Sequence, residues 1–230
     1  MEPCISRLGE ETWLVEFEPR LDPAVNERVL ALASAVEQSA LAGVFDVVPA
    51  YASLAIHADP EQLHEEALTA AIRHLADTSR PSDAERLPHE IPVCYEPSFA
   101  LDLDAVCAAT RCSAAEVIAR HADVHYRVFM VGFLPGFPYM GMVPESIAVP
   151  RRATPRPVVP AGSVGIAGRQ TGIYPVDSPG GWQIVGRTPV RLFDPAGGRP
   201  PIIRAGDHVR FVPIDIGQFE ALAAATERPY

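Results

Sequence analysis

The short, largely apolar run from Thr12 to Phe17 ("TWLVEF"), rich in aromatic and branched residues, reads as a strand. Asp22-Pro23 follows, an N-cap and a proline suited to the first helical position. Behind it Val25, Val29, Leu32 and Val36 recur at helical spacing, and Gly43 is expected to end that helix. Two more strands, Val44–Val48 and Tyr51–Ala58, flank a turn at Pro49-Ala50. Asp59-Pro60 repeats the helix-start signal, with Leu63, Ala67, Ala71 and Leu75 behind it, and His89–Tyr95 reads as a closing strand. The order β-α-β-β-α-β is that of the ferredoxin-like split unit. It predicts a first domain over residues 1–87, its closing strand reaching to about residue 95.

The pattern then changes. Two short helices are expected over Leu103–Arg111 and Ala114–Ala122, the second opened by a Ser113/Glu116 capping box. From Tyr126 the helical period gives way to short strands separated by Gly/Pro turns, until Asp215 caps a last helix, Ile216–Thr226. Residues 88–230 therefore predict a compact β-barrel or sandwich, and the whole chain an α+β protein of two domains. The segment "RPSDAERLP" (Arg80–Pro88), polar and bounded by prolines, is the expected linker.

Composition sharpens the division. The chain has 230 residues and a formal net charge of −10. That charge sits before residue 88; beyond it acids and arginines balance, and glycine and proline become abundant. An acidic chain argues against nucleic acid as a partner, and no apolar run is long enough to span a membrane. The acidic N-terminus lacks the marks of a signal peptide, and Cys4, Cys94, Cys107 and Cys112 form no CxxC pair. A cytoplasmic protein with reduced thiols and no structural metal is expected. Every basic residue is arginine, which excludes a Walker lysine, a Schiff-base lysine and a kinase-type lysine.

Candidate chemistry centres on "PAGSVGIAGRQTGIYPVDSPGGWQIVGRTP" (Pro160–Pro189). Glycines beside arginines can cradle an anion on bare backbone N–H groups; they can equally be turns of a barrel. Ser163 in "AGSVG" imitates a nucleophile elbow, but no helix signal follows, so a turn residue is expected. The seven histidines show no metal-ligand spacing, and His121 and His125 read as core or surface residues. "GFLPGFPYMG" (Gly132–Gly141) is either a stiff packed loop or an apolar wall for a ligand. From Ser146 to Val176 stand Arg151, Arg152, Arg156 and Arg169 with no acidic residue among them, which suggests an anion pocket or a docking surface for an acidic partner. The expected lining is Arg156, Arg169, Gln170, Thr171, Tyr174 and Ser178, with Gly162, Gly165, Gly168 and Gly172 allowing close backbone approach. Trp182 is expected to pack behind the loop.

The run from Tyr126 to Pro195, above all "VPAGSVGIAGRQTGIYP" and "SPGGWQIVGRTP", resembles the family of the 5-oxoprolinase B subunit, also called allophanate hydrolase subunit 1 and Kip-type inhibitor of a sporulation histidine kinase. "LVEF", "VPAYASLAIHADP" and "IPVCYEP" extend the resemblance over the whole chain. Met142 and Leu134 depart from it where small residues are usual. The resemblance implies a ferredoxin-like domain followed by a cyclophilin-like β-barrel domain. It implies work with two companions, a homologous larger C component and an A component, in an ATP-dependent enzyme that opens 5-oxoproline to glutamate, ATP being held jointly with the partner. It equally admits a regulatory module that inhibits a histidine kinase, or a component of a urea/allophanate-type carboxyltransferase.

Overall fold

The computed structural model describes residues 3–62, 64–81, 88–194 and 202–226, with the backbone alone at residue 226. The chain divides into two compact units, Met1–Glu85 and Arg86–Tyr230. The expected division after residue 87, and most of the expected linker, fall on residues 82–87, outside the described residues.

In the first unit, β1 (Cys4–Arg7), β2 (Thr12–Glu16), β3 (Val44–Pro49) and β4 (Ser53–Ala58) form an antiparallel sheet in the order β1-β2-β4-β3. Helices α1 (Pro23–Ser39) and α2 (Glu65–Thr78) supply apolar faces to one side of it. The Asp22 carboxylate accepts from Ala24 N–H at 2.8 Å, so the first helix starts where its cap and proline place it. Val29, Leu32 and Val36 are fully buried against Trp13, Val15, Leu54 and Ile56, each such burial stabilising by about 1.5–3 kcal/mol. The helix ends at Ser39 with Ala40 left-handed, and Gly43 serves the turn before β3 instead.

Two expectations for this unit are corrected. Asp59-Pro60 does not open α2: Asp59 accepts from Glu61 N–H and the Gln62 amide in a turn of its own. The helix begins at Glu65, where Glu65 and Glu66 meet the positive end of its dipole. Its buried residues are Leu68 and Ile72, one position beyond Ala67 and Ala71, and Leu75 packs partly buried against the same core; Leu63 lies outside the described residues. The expected closing strand, His89–Tyr95, does not join this sheet. Its place beside β2 is taken by β1, so the observed order is ββαββα.

The second unit is a closed barrel. Its strands are β5 (His89–Cys94), β6 (His125–Val131), β7 (Pro138–Gly141), β9 (Ser163–Ala167), β10 (Gln170–Ile173), β12 (Gln183–Arg187) and β13 (His208–Ile214). They run round in the order β10-β7-β6-β13-β5-β12-β9. β5 pairs parallel with β13 along its whole length. Outside the barrel, β8 (Arg156–Val159) and β11 (Ser178–Gly180) pair as a separate ribbon. Helices α3 (Leu103–Thr110), α4 (Ala114–Ala122) and α5 (Ile216–Thr226) pack on β12, β13 and β5 respectively. The Ser113/Glu116 capping box forms, and Asp215 and Gln218 cap each other reciprocally at the start of α5. Among the described residues twenty-one buried side chains form the main core, drawn from the barrel strands, α3 and α4, while Phe137, Val159, Tyr174, Trp182 and Ile184 belong to a smaller one. Among the described residues no helix is long and apolar enough to cross a membrane.

Candidate functional site

The expected site residues lie on β8 to β11, and the structure gives most of them partners of their own. Arg156, at the start of β8, makes a two-pronged contact with Asp102, Nη1 to Oδ2 and Nη2 to Oδ1, both at 2.7 Å. Arg152 Nη1 donates to the same Oδ1 at 2.6 Å and Ile184 N–H to Oδ2 at 2.7 Å. Asp102 is 4% exposed. Burial alone raises its carboxyl pKa, but the hydrogen bonds from Arg156 and Ile184 and the two guanidinium charges outweigh it and hold the group below its ordinary value. Arg156 is thus the clamp of a structural ion cluster. The acid that neutralises it stands 54 residues earlier, outside the acid-free window that made it look unpaired.

Arg169 is held in the same way, less tightly. Its Nε donates to Val143 O and its Nη1 to Glu145 at 3.2 Å, with the side chain 44% exposed. Thr171 is wholly buried inside the barrel. Its hydroxyl donates to Gly165 O at 3.0 Å, so it accepts from His121 Nε2, also at 3.0 Å, and the other ring nitrogen accepts from Tyr95 O–H at 2.9 Å. Burial lowers the His121 pKa to about 3 and raises that of Tyr95 well above its ordinary value. The imidazole is therefore a neutral link in a closed chain of hydrogen bonds. Tyr174 belongs to the small core, 5.1 Å from Phe137 between ring centroids, with its hydroxyl against Gly180. Ser178 pairs through its backbone with Val159, and its buried hydroxyl has no partner among the described residues. Gln170 opens β10, half-exposed, opposite Ala167 and Gly141.

The glycines serve approach between protein segments. A Cβ on Gly172 would lie 2.9 Å from the Phe137 ring, and one on Gly165 3.0 Å from Trp182 Cβ. Gly168 takes φ +60° in the two-residue β9–β10 connection. Trp182 packs behind the loop as expected, 4% exposed, with the Arg151 guanidinium 5.8 Å above its ring.

One concave site in this unit draws its walls from the two ends of the glycine-rich stretch. It is a cleft of about 690 Å³, bordered by Gly162, Asp177, Arg187, Thr188, Phe193 and, from α5, Phe219; ligand sites commonly have about 300–1,000 Å³. Gly162 takes φ +81°, and a Cβ there would run into the Thr188 carbonyl oxygen. Only glycine lets the two loops meet at this wall, where Thr188 N–H donates to Gly162 O at 2.9 Å. Of the expected lining residues, Gly162 alone borders the cleft. Arg187 and Thr188 stand in the quoted stretch, but nothing in their spacing marks them as facing a cavity. Among the described residues no group of three or more His, Cys, Asp or Glu is placed to hold a metal ion.

Residues 3–203 match the family described as carboxyltransferase domain, subdomain C and D. A protein of Bacillus subtilis (strain 168), named as the B subunit of 5-oxoprolinase, is 38% identical over 228 residues, covering 94% of this chain and 95% of its own. One of the same name from Escherichia coli O157:H7 is 41% identical over 207 residues, 90% of this chain and 94% of its own. The crystal structure of TTHA0988 superposes with a TM-score of 0.80 at 37% identity over 89% of this chain, which spans only 40% of that longer one.

Proposed function

The chain belongs to the carboxyltransferase-domain family, subdomain C and D, and from that membership we propose that it is the B subunit of an ATP-dependent 5-oxoprolinase that opens 5-oxoproline to glutamate. The observation that carries this reading is the near end-to-end match, at about two residues in five, to relatives bearing that name. The name implies companion chains, and we take them to be a homologous larger C component and an A component. The greater length of TTHA0988 supports a partner of this kind, since that chain has room for one fused to the counterpart of this one. The four cysteines are free thiols, which suits the reducing cytoplasm.

The chemistry asks for help from more than one chain. A five-membered lactam is an unstrained amide, and ATP would supply its activation by phosphorylating the amide oxygen. This chain has no lysine and, among the described residues, no acidic cluster suited to magnesium. A triphosphate cradle is therefore assigned to a site that the partner completes, and what this chain contributes is arginine and backbone N–H groups. The barrel carries that contribution; we take it to be the cyclophilin-like domain of the family.

Purified alone, the chain should show no ATP hydrolysis in the presence of 5-oxoproline, and activity should appear on adding the A and C components. Steady turnover by the isolated chain, or none by the three together, would refute the shared-site reading.

A further inference from the structure

We propose that the cleft beside α5 binds a small carboxylate carrying an amide, with Arg187 and Arg191 receiving the carboxylate. The proposal rests on the 5-oxoprolinase reading for the identity of the substrate, but the cleft's chemistry stands on its own residues. Arg187 is fixed on three sides. Its Nε donates to Ala161 O at 2.8 Å, its stem lies against Gly162, and its guanidinium stands 6.0 Å from the Phe99 ring centroid. Phe99 is itself braced by Phe219 at 4.4 Å. Nη1 and Nη2 keep no protein acceptor among the described residues. Arg191 borders the same cleft, exposed, and makes no hydrogen bond or ion pair among the described residues. Two guanidinium groups with donors to spare, one already oriented, make a receptor for a planar anion.

The other groups narrow the ligand. The Thr188 hydroxyl accepts from Val190 N–H at 3.1 Å, which leaves its own proton to donate. Asp177 gives one oxygen to Ala161 N–H at 2.7 Å and has a second to offer a donor. Phe193 and Phe219 supply apolar surface. A triphosphate would bring several negative charges against the Asp177 carboxylate. A lactam carboxylate matches the set: an anion for the arginines, an N–H for Asp177, a carbonyl oxygen for Thr188 and a hydrocarbon ring for the two phenylalanines. The cleft exceeds one such molecule in volume, leaving a side for the partner chain to close.

The test uses the assembled enzyme and the variants Arg191→Ala and Arg187→Lys. The first removes no hydrogen bond or ion pair among the described residues; the second keeps charge and stem. Each should raise the KM for 5-oxoproline by about tenfold or more, with kcat within about threefold of the wild type, since one charge-assisted hydrogen bond is worth about that factor. Wild-type KM in both variants overturns the assignment. If the assembly does not act on 5-oxoproline at all, the 5-oxoprolinase reading has failed, and the full chain is titrated calorimetrically with 5-oxoproline, N-acetylglycine, N-carbamoylglycine and inorganic phosphate. Saturable binding of an amide carboxylate but not phosphate, weakened at least tenfold by Arg191→Ala, upholds the cleft. Binding of none of the carboxylates, or binding unchanged by the substitution, overturns it.

Discussion

Acidification from pH 7 to pH 5 reads the barrel interior through one imidazole. His121 is wholly buried, and burial holds its pKa at about 3 against an ordinary 6.5. The groups that face the ring are Tyr95, Thr171, Tyr126 and Phe211, the last stacked at 4.6 Å. None is a carboxylate that would welcome a proton. As pH falls through about 6.5 the unfolded chain takes up a proton at this histidine and the folded barrel does not. The unfolded state then binds more protons, so stability is lost as pH falls. Full separation of the two pKa values costs about 1.4 kcal/mol per pH unit, and between pH 7 and pH 5 the loss comes to about 2 kcal/mol. The assay is urea unfolding followed by tryptophan fluorescence in a Trp13→Phe background, where Trp182 reports the barrel alone. The comparison is with His121→Gln, whose side chain can still donate to Thr171 and does not titrate. The variant will be less stable at pH 7, but its further loss on acidification should be smaller than the wild type's by about 2 kcal/mol. Equal losses in the two proteins would show that the folded barrel protonates His121 as readily as the unfolded chain does, and that its buried, neutral state is misassigned.

Two other substitutions probe the walls of the site. Asp102→Asn leaves Arg152 and Arg156 facing a neutral group and should destabilise the barrel by about 3–5 kcal/mol in the same unfolding assay; a change below about 1 kcal/mol would make the cluster incidental. Gly162→Ala places a methyl group against the Thr188 carbonyl at a left-handed φ and should lower stability by about 2 kcal/mol or more, read as a fall in the urea midpoint; an unchanged midpoint would show that the two loops can part without cost.

Local signals were legible in the chain and distant pairings were not. Asp22-Pro23, Ser113 with Glu116, and Asp215 before α5 each act on backbone within a few residues, and each begins its helix as read. β1 went unread because four residues with one half-buried side chain carry no usable alternation. His89–Cys94 was legible as a strand, but its apolar run cannot say which sheet it joins, and the barrel, which buries Ile91, Val93 and Cys94, takes it. The arginines were misleading for the same reason. A window of sequence shows charges close along the chain, while Asp102 reaches Arg156 only through the fold, and Glu145 lies one residue outside the window in which Arg169 looked unpaired. Whether the arginines of the glycine-rich stretch face water, an acid or a cleft is decided by the closing of the barrel.

The parallel pairing of β5 with β13 sets an order of events during synthesis. All four strands and both helices of the first unit have been made by Thr78. The barrel cannot close until His208–Ile214 reaches its partner strand His89–Cys94, about 120 residues earlier in the chain. At about 5–20 residues per second, β5 waits roughly 6–24 s for that partner after leaving the ribosome. During that interval an apolar strand stands with an unsatisfied edge, open to any other chain that offers one. Ribosome stalling, or truncation before residue 208, should therefore yield aggregation rather than a smaller folded barrel, even though the polypeptide already contains every residue of the first unit.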